Sequence, residues 1–159
     1  MIITSIPNGL IETIEASGHY LYFYNGVAVA SDETAVQTII DNYDPLPLAK
    51  KEAKQRLIDQ FNAAMAGIEN AFTEAEKRTF TKQETEARAY QLDNTIATPI
   101  LTAIAATRGA TVDYLATKVI EKADAYTAQV GALMGLRQAL EDQIESATDW
   151  QVIEGINLV

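Results

Sequence analysis

From Val119 to Ala147 the non-polar positions recur in alternating steps of four and three. They are Val119, Ala123, Tyr126, Val130, Leu133, Leu140, Ile144 and Ala147, and Arg137 alone breaks the apolar series. This is a heptad seam on one long helix that begins near Thr111, on the order of 50 Å if unbroken. A second seam runs through Ile58, Phe61, Met65, Ile68, Phe72 and Ala75. Two such seams explain each other if the chain folds back on itself. The spacing therefore predicts an elongated antiparallel helical hairpin with coiled-coil-like seams over residues 48–147.

The N-terminal pattern has a shorter period. Tyr20–Tyr24 and Val27–Ala30 are β-prone runs that flank Asn25-Gly26, the strongest short hairpin signal. Met1–Ser5 is a β-branched run, and Leu10–Ala16 reads as a rough apolar/polar alternation. Pro7-Asn8-Gly9 and Ser17-Gly18-His19 read as turns between them. A small antiparallel sheet of three or four strands follows from this reading. Such a sheet needs a covering helix. One is predicted after Ser31 or Asp32, with Val36, Ile39, Ile40 and Tyr43 on one face. Asp44-Pro45-Leu46-Pro47 ends it, because two prolines in three residues oppose helix there. The fold class is thus α+β, mainly α. A β-rich module at 1–44 precedes the hairpin at 48–147 and an apolar docking tail at 148–159.

Inside the helical part the punctuation is readable. Thr73 with Glu76 has the form of a capping box, so the helix bends or restarts near Phe72. Residues 79–92 are weakly amphipathic, with Phe80, Ala87, Tyr90 and Leu92 as anchors. Pro99 suits the first turn of a short helix over Ile100–Thr107, and Gly109 suits the left-handed position after it. Thr111 caps the long helix. Lys50, Lys51, Glu52, Lys54, Arg56 and Asp59 fall mainly on a solvated side.

Composition narrows the class. The 159 residues are 48% hydrophobic, enough for one domain with a real core. Twelve Lys and Arg face 22 Asp and Glu, for a net charge of −10. Nucleic acid and anionic membrane both need cationic contacts, so neither is an expected partner. Without cysteine there is no thiol chemistry. The N-terminus lacks the basic and long apolar regions of a signal peptide. The most apolar window, residues 125–136, is too short for a membrane span.

No catalytic or cofactor constellation emerges. His19 is the single histidine, at a turn, and reads as a surface or packing residue. Glu141, Asp142 and Glu145 cluster on the long helix without the Glu-x-x-His of di-metal bundles, so a solvated acidic face is expected. Glu12 and Glu15 are the acids a small carboxylate-dependent glycosidase would use, but nothing sets them around a cleft. Tyr20, Tyr22 and Tyr24 alternate along a strand and so share a face. They and Trp150 are the candidate partner contacts. Gly131 and Gly135 suggest close helix approach in a bundle. Arg137 in the seam needs an acid, from Glu141 or a neighbouring chain, unless it sits at an open end.

A family resemblance adds to this. Phe72-Thr73-Glu74-Ala75-Glu76, Thr79-Phe80, Gln83 with Glu86-Ala87 and Ala89-Tyr90, Thr98-Pro99-Ile100-Leu101, Ala103-Ile104-Ala105-Ala106, Arg108-Gly109, and Gly135-Leu136-Arg137-Gln138-Ala139-Leu140-Glu141-Asp142 resemble the helical segment of bacteriophage tail-fibre and tail-fibre-assembly proteins. Where that family often has Trp-Pro, this chain has Phe80-Thr81. The resemblance implies a non-enzymatic protein, a structural component of the tail fibre or an assembly chaperone absent from the mature virion. It implies a fibre or baseplate partner and residence in the virion tail, or in the host cytoplasm during assembly. It implies no catalytic, metal-binding or cofactor-binding residue. Tail fibres are commonly threefold. With the off-seam Leu115, Ala116, Ile120, Met134 and Leu136 and the apolar tail, that favours a homotrimer built on Val119, Tyr126, Val130, Leu133, Arg137, Leu140 and Ile144.

Overall fold

The computed structural model describes residues 6–158, so the strand expected at Met1–Ser5 lies outside the described residues. The described residues are mainly α, 71% helical, with one small antiparallel sheet among them. It divides into two compact units, residues 1–60 with 138–159, and residues 61–137.

The first unit opens with α1 (Leu10–Ala16), which corrects the strand expected there. Leu10 and Ile14, spaced four apart, are both buried, and that is helical spacing. The local ends agree. Gly9 takes φ 80° before the helix, and Gly18 takes φ 81° after it. Gly18 N–H donates to the Glu15 carbonyl and His19 N–H to the Ile14 carbonyl, a Schellman closure. Ser17-Gly18 is therefore a helix stop, whereas the sequence reads equally well as a hairpin turn.

Strands β1 (Leu21–Tyr24) and β2 (Val27–Ala30) then pair antiparallel, Leu21 with Ala30 through Tyr24 with Val27. Asn25 at φ 49° and Gly26 at φ 78° supply the two positive angles of a type I′ turn. Helix α2 (Glu33–Asn42) is capped by Asp32, whose carboxylate accepts from Ala35 N–H at 2.9 Å. Leu10, Ile14, Leu21 and Val36 form the core between hairpin and helices, with Ile39, Ile40 and Tyr43 packed around it.

Helix α3 (Leu46–Glu69) begins between the two prolines. Pro47 sits in the first turn, where its missing N–H is harmless. The inward line in this unit passes through Ala53 and Leu57, both fully buried, and Ile58 is exposed. The seam expected from Ile58 is thus displaced by one residue at its start. Helix α7 (Val112–Ser146) ends in this unit with Ile144 buried, antiparallel to α3. Lys54 pairs with Glu145, and Lys50 Nζ donates to the Glu145 carbonyl at 2.6 Å. After it, α8 (Trp150–Glu154) folds down so that Ile153, Ile156 and Leu158 are buried. Arg56 holds this tail: its Nη2 donates to the carbonyls of Ile153 and Ile156, each at 3.2 Å. Gln60 accepts from Leu158 N–H at 2.8 Å. Arg56 therefore leaves the solvated side assigned to it, because its guanidinium is drawn in to two tail carbonyls, one in α8 and one just beyond it.

The second unit holds the rest of α3 and α7 with α4 (Glu74–Lys77), α5 (Phe80–Leu92) and α6 (Pro99–Arg108). The capping box is present: Thr73 Oγ1 accepts from Glu76 N–H, and Glu76 accepts from Thr73 N–H at 2.8 Å. Phe72 and Phe80 meet edge to face, 4.9 Å apart, across this restart. Gly109 takes φ 63° after α6, and Thr111 Oγ1 accepts from Tyr114 N–H at 3.2 Å. Ala87, Leu101, Ala116 and Ile120 form the core, with Tyr90, Ile100, Val112 and Val119 against it. Leu92, expected as an anchor, is 90% exposed because α5 ends there and the chain turns through Asp93.

Candidate functional site

The hairpin presents the tyrosine row to solvent. Tyr20, Tyr22 and Tyr24 are 52%, 51% and 67% exposed. Their shared face follows from strand alternation, and Leu21 fills the core on the opposite side. The rings of Tyr20 and Tyr22 lie 5.9 Å apart, tilted by 32°. Across the ladder, Val27 opposite Tyr24 is also exposed. Phe23 points to the core side but remains 42% exposed, since its partner is the small Ala28. No Asp, Glu, Lys or Arg lies between His19 and Ser31. In a chain of net charge −10, this is an uncharged aromatic patch.

The other named residues are distributed as follows. His19 Nδ1 lies 3.3 Å from Ser31 Oγ, at the open end of the hairpin. Trp150 is half-buried and lines a small cleft of about 100 Å³ with Asn8, Ala49, Glu52, Arg56 and Ile153. It belongs to the docked tail and is not brought to the tyrosine face. Glu12 and Glu15 are exposed on α1, one turn apart on the same helix, so they do not oppose each other across a cleft. Lys54, as hydrogen-bond partner and as charge, holds the Glu145 carboxyl below its ordinary range. Among the described residues no three His, Asp or Glu side chains gather closely enough to hold a metal ion. Among them also, no helix is long and apolar enough to cross a membrane.

The α7 seam is visible in its burial. Val119, Ala123, Val130, Leu133, Arg137 and Leu140 are each half-buried, and Ile144 is fully buried. Tyr126 remains 38% exposed. The Arg137 guanidinium stacks over the Phe61 ring at 5.3 Å, a contact that tolerates a cation in an apolar row. Gly131 and Gly135 are corrected: nothing lies within 4 Å of where their Cβ atoms would be. They lie off the seam, since each is five residues past a seam position, Tyr126 and Val130, and five residues carry a helix about 140° around its axis. Two grounds for a trimer also change. Leu115, Ala116 and Ile120 are buried within their own unit, and the tail is docked on α3, which leaves Met134 and Leu136 as exposed off-seam residues.

The sequence reading missed Glu86. It is 8% exposed, and its Oε2 accepts from Ile100 N–H at 3.0 Å and Leu101 N–H at 3.1 Å. It caps α6, whose own N-cap residue Thr98 makes no side-chain cap bond. The available signal was an acid set between the core-side positions Gln83, Ala87 and Tyr90 of α5.

Comparison with known proteins adds one short match. Residues 121–157 match the family model described as the HI1402 helical domain, covering most of α7 and all of α8. No curated protein and no solved structure matches the chain.

Proposed function

We propose that this chain is a non-enzymatic protein of the phage tail, a structural component of the tail fibre or an assembly partner for it. The observation that carries a contact role is the exposed, uncharged face of Tyr20, Tyr22 and Tyr24. Tyrosine supplies a large apolar body with a polar tip at low entropic cost, which suits protein contacts. The resemblance of residues 72–144 to the helical segment of tail-fibre and tail-fibre-assembly proteins supports the class. Two roles separate experimentally. Mass spectrometry of purified particles finds a structural subunit and does not find an assembly chaperone, whereas deletion of either impairs fibre formation. Deletion that leaves fibres and infectivity unchanged removes the reading. A threefold assembly along α7 is a second arrangement, favoured by Tyr126, Met134 and Leu136 at 38%, 43% and 46% exposure beside a half-buried seam. It would give a solution mass of three chains.

A further inference from the structure

The chain carries the dipeptide Asn-Gly twice, at Asn8-Gly9 and at Asn25-Gly26. Asparagine before glycine is a labile sequence, because glycine has no Cβ to shield its backbone nitrogen from the asparagine side chain. The fold gives the two copies opposite surroundings. At Asn8-Gly9 the reacting groups are held. Asn8 Nδ2 donates to Glu52 Oε2 at 2.9 Å, and the Tyr43 hydroxyl donates to the Asn8 carbonyl. Gly9 is half-buried, and a Cβ on it would lie 2.6 Å from Leu48 Cδ2. This peptide unit is therefore packed against the end of α2 and the start of α3.

At Asn25-Gly26 they are free. Both residues are exposed, and nothing lies within 4 Å of where a Gly26 Cβ would be. Among the described residues the Asn25 side chain and the Gly26 N–H have no hydrogen-bond partner. The turn sits at the end of the hairpin away from the core residue Leu21, and its closing pair, Tyr24 and Val27, is 67% and 64% exposed. The tip of a two-stranded sheet is weakly held and opens locally.

We infer that Asn25 is a site of spontaneous deamidation, with water as the reagent, and that the fold protects Asn8. In the opened turn the Gly26 nitrogen loses its proton and attacks Asn25 Cγ. The new N–Cγ bond closes a five-membered succinimide as the Cγ–Nδ2 bond breaks, and the side-chain nitrogen leaves with that proton as ammonia. Water then opens the ring. Cleavage at Cγ gives aspartate. Cleavage at the main-chain carbonyl gives isoaspartate, whose backbone runs through Cβ and Cγ. Either product sets a carboxylate beside Tyr24 and Val27, in a stretch from Tyr20 to Ala30 that carries no charged side chain. Isoaspartate also lengthens a turn whose two residues match the strand register. The uncharged tyrosine face thus acquires charge with time. This inference rests on the two turn environments and not on the tail-fibre reading.

The test is incubation of the intact folded chain at about pH 8 and about 37 °C, with peptide mapping for the gain of about 1 Da that replacing NH2 by OH brings. The Asn25 peptide should gain it at least tenfold faster than the Asn8 peptide. In urea, where the Tyr43 and Glu52 contacts to Asn8 are gone, the two rates should converge to within threefold. Equal rates in the folded chain overturn the inference, and so does faster loss at Asn8. So does an Asn25 peptide that stays unmodified in the folded chain, since the hairpin then shields it as well. A tenfold gap that persists in urea also overturns it, because neighbouring sequence and not the fold then sets the difference. Every arm uses the parent chain, so none depends on a variant that folds.

Discussion

Glu86→Ala is the sharpest perturbation of the helical unit. The carboxylate accepts from two backbone N–H groups at the start of α6, and Leu101 is fully buried. A hydrogen bond to a charged acceptor is worth about 1.5–3 kcal/mol, and a buried donor left without a partner costs a comparable amount. A negative charge at a helix N-terminus adds up to about 2 kcal/mol in partly buried geometry. These overlap, so the alanine variant should lose about 2–4 kcal/mol in all. Glu86→Gln keeps an acceptor oxygen and loses the charge, so it should lose only about 1 kcal/mol. Urea unfolding followed by circular dichroism measures both, with the shift read from midpoints at constant slope. Equal losses for Ala and Gln would refute the cap, since burial alone would then explain them. An alanine variant within about 0.5 kcal/mol of the parent would refute it outright.

Three further outcomes follow from the same structure. Gly131→Ala and Gly135→Ala meet open space on a helix, so each should raise stability by about 0.5–1 kcal/mol in urea unfolding. Gly9→Ala should lose at least about 1–2 kcal/mol by the same assay. Its φ is +80°, and a Cβ there would lie 2.5 Å from Tyr43 Oη and 2.6 Å from Leu48 Cδ2. Glu76 is held below the ordinary carboxylate range, first by the Thr73 backbone N–H and then by the Thr73 hydroxyl. Its folded pKa is lowered, so the capping-box contribution is complete above the ordinary Glu value and is lost as pH falls through the folded one. A carbon-detected NMR titration should place Glu76 below ordinary Glu, and Thr73→Ala should raise it.

What was legible in the sequence was local chemistry with a strict geometric demand. Asn25-Gly26, the Thr73 and Glu76 pair, and Gly109 each allow few conformations, and each appears as read. The four-and-three spacing on α7 also reappears as alternating burial, because helix geometry leaves one stripe to cover. What failed depended on context. Leu10–Ala16 is short enough to fit either period, and its helix is decided by the ends, with Gly9 and Gly18 both at positive φ. Arg56 and Glu86 look like surface charges in sequence. Arg56 anchors the tail and Glu86 caps a helix only because the fold brings the α8 segment and the start of α6 to them. The tyrosine row was legible as a shared face, but its exposure depended on which side α1 and α2 would cover.

The most direct test of the proposed tail-fibre role is recovery of fibre protein on the tagged chain. The tagged protein is expressed in the host during phage production, and fibre protein retained on it is quantified by mass spectrometry. Tyr20→Asp with Tyr24→Asp places two charges on the exposed face without touching the core residues Leu10, Ile14, Leu21 and Val36. The account predicts fibre protein on the parent chain and at least a tenfold loss on the double variant. Equal recovery on both, or no fibre protein on either, would contradict it.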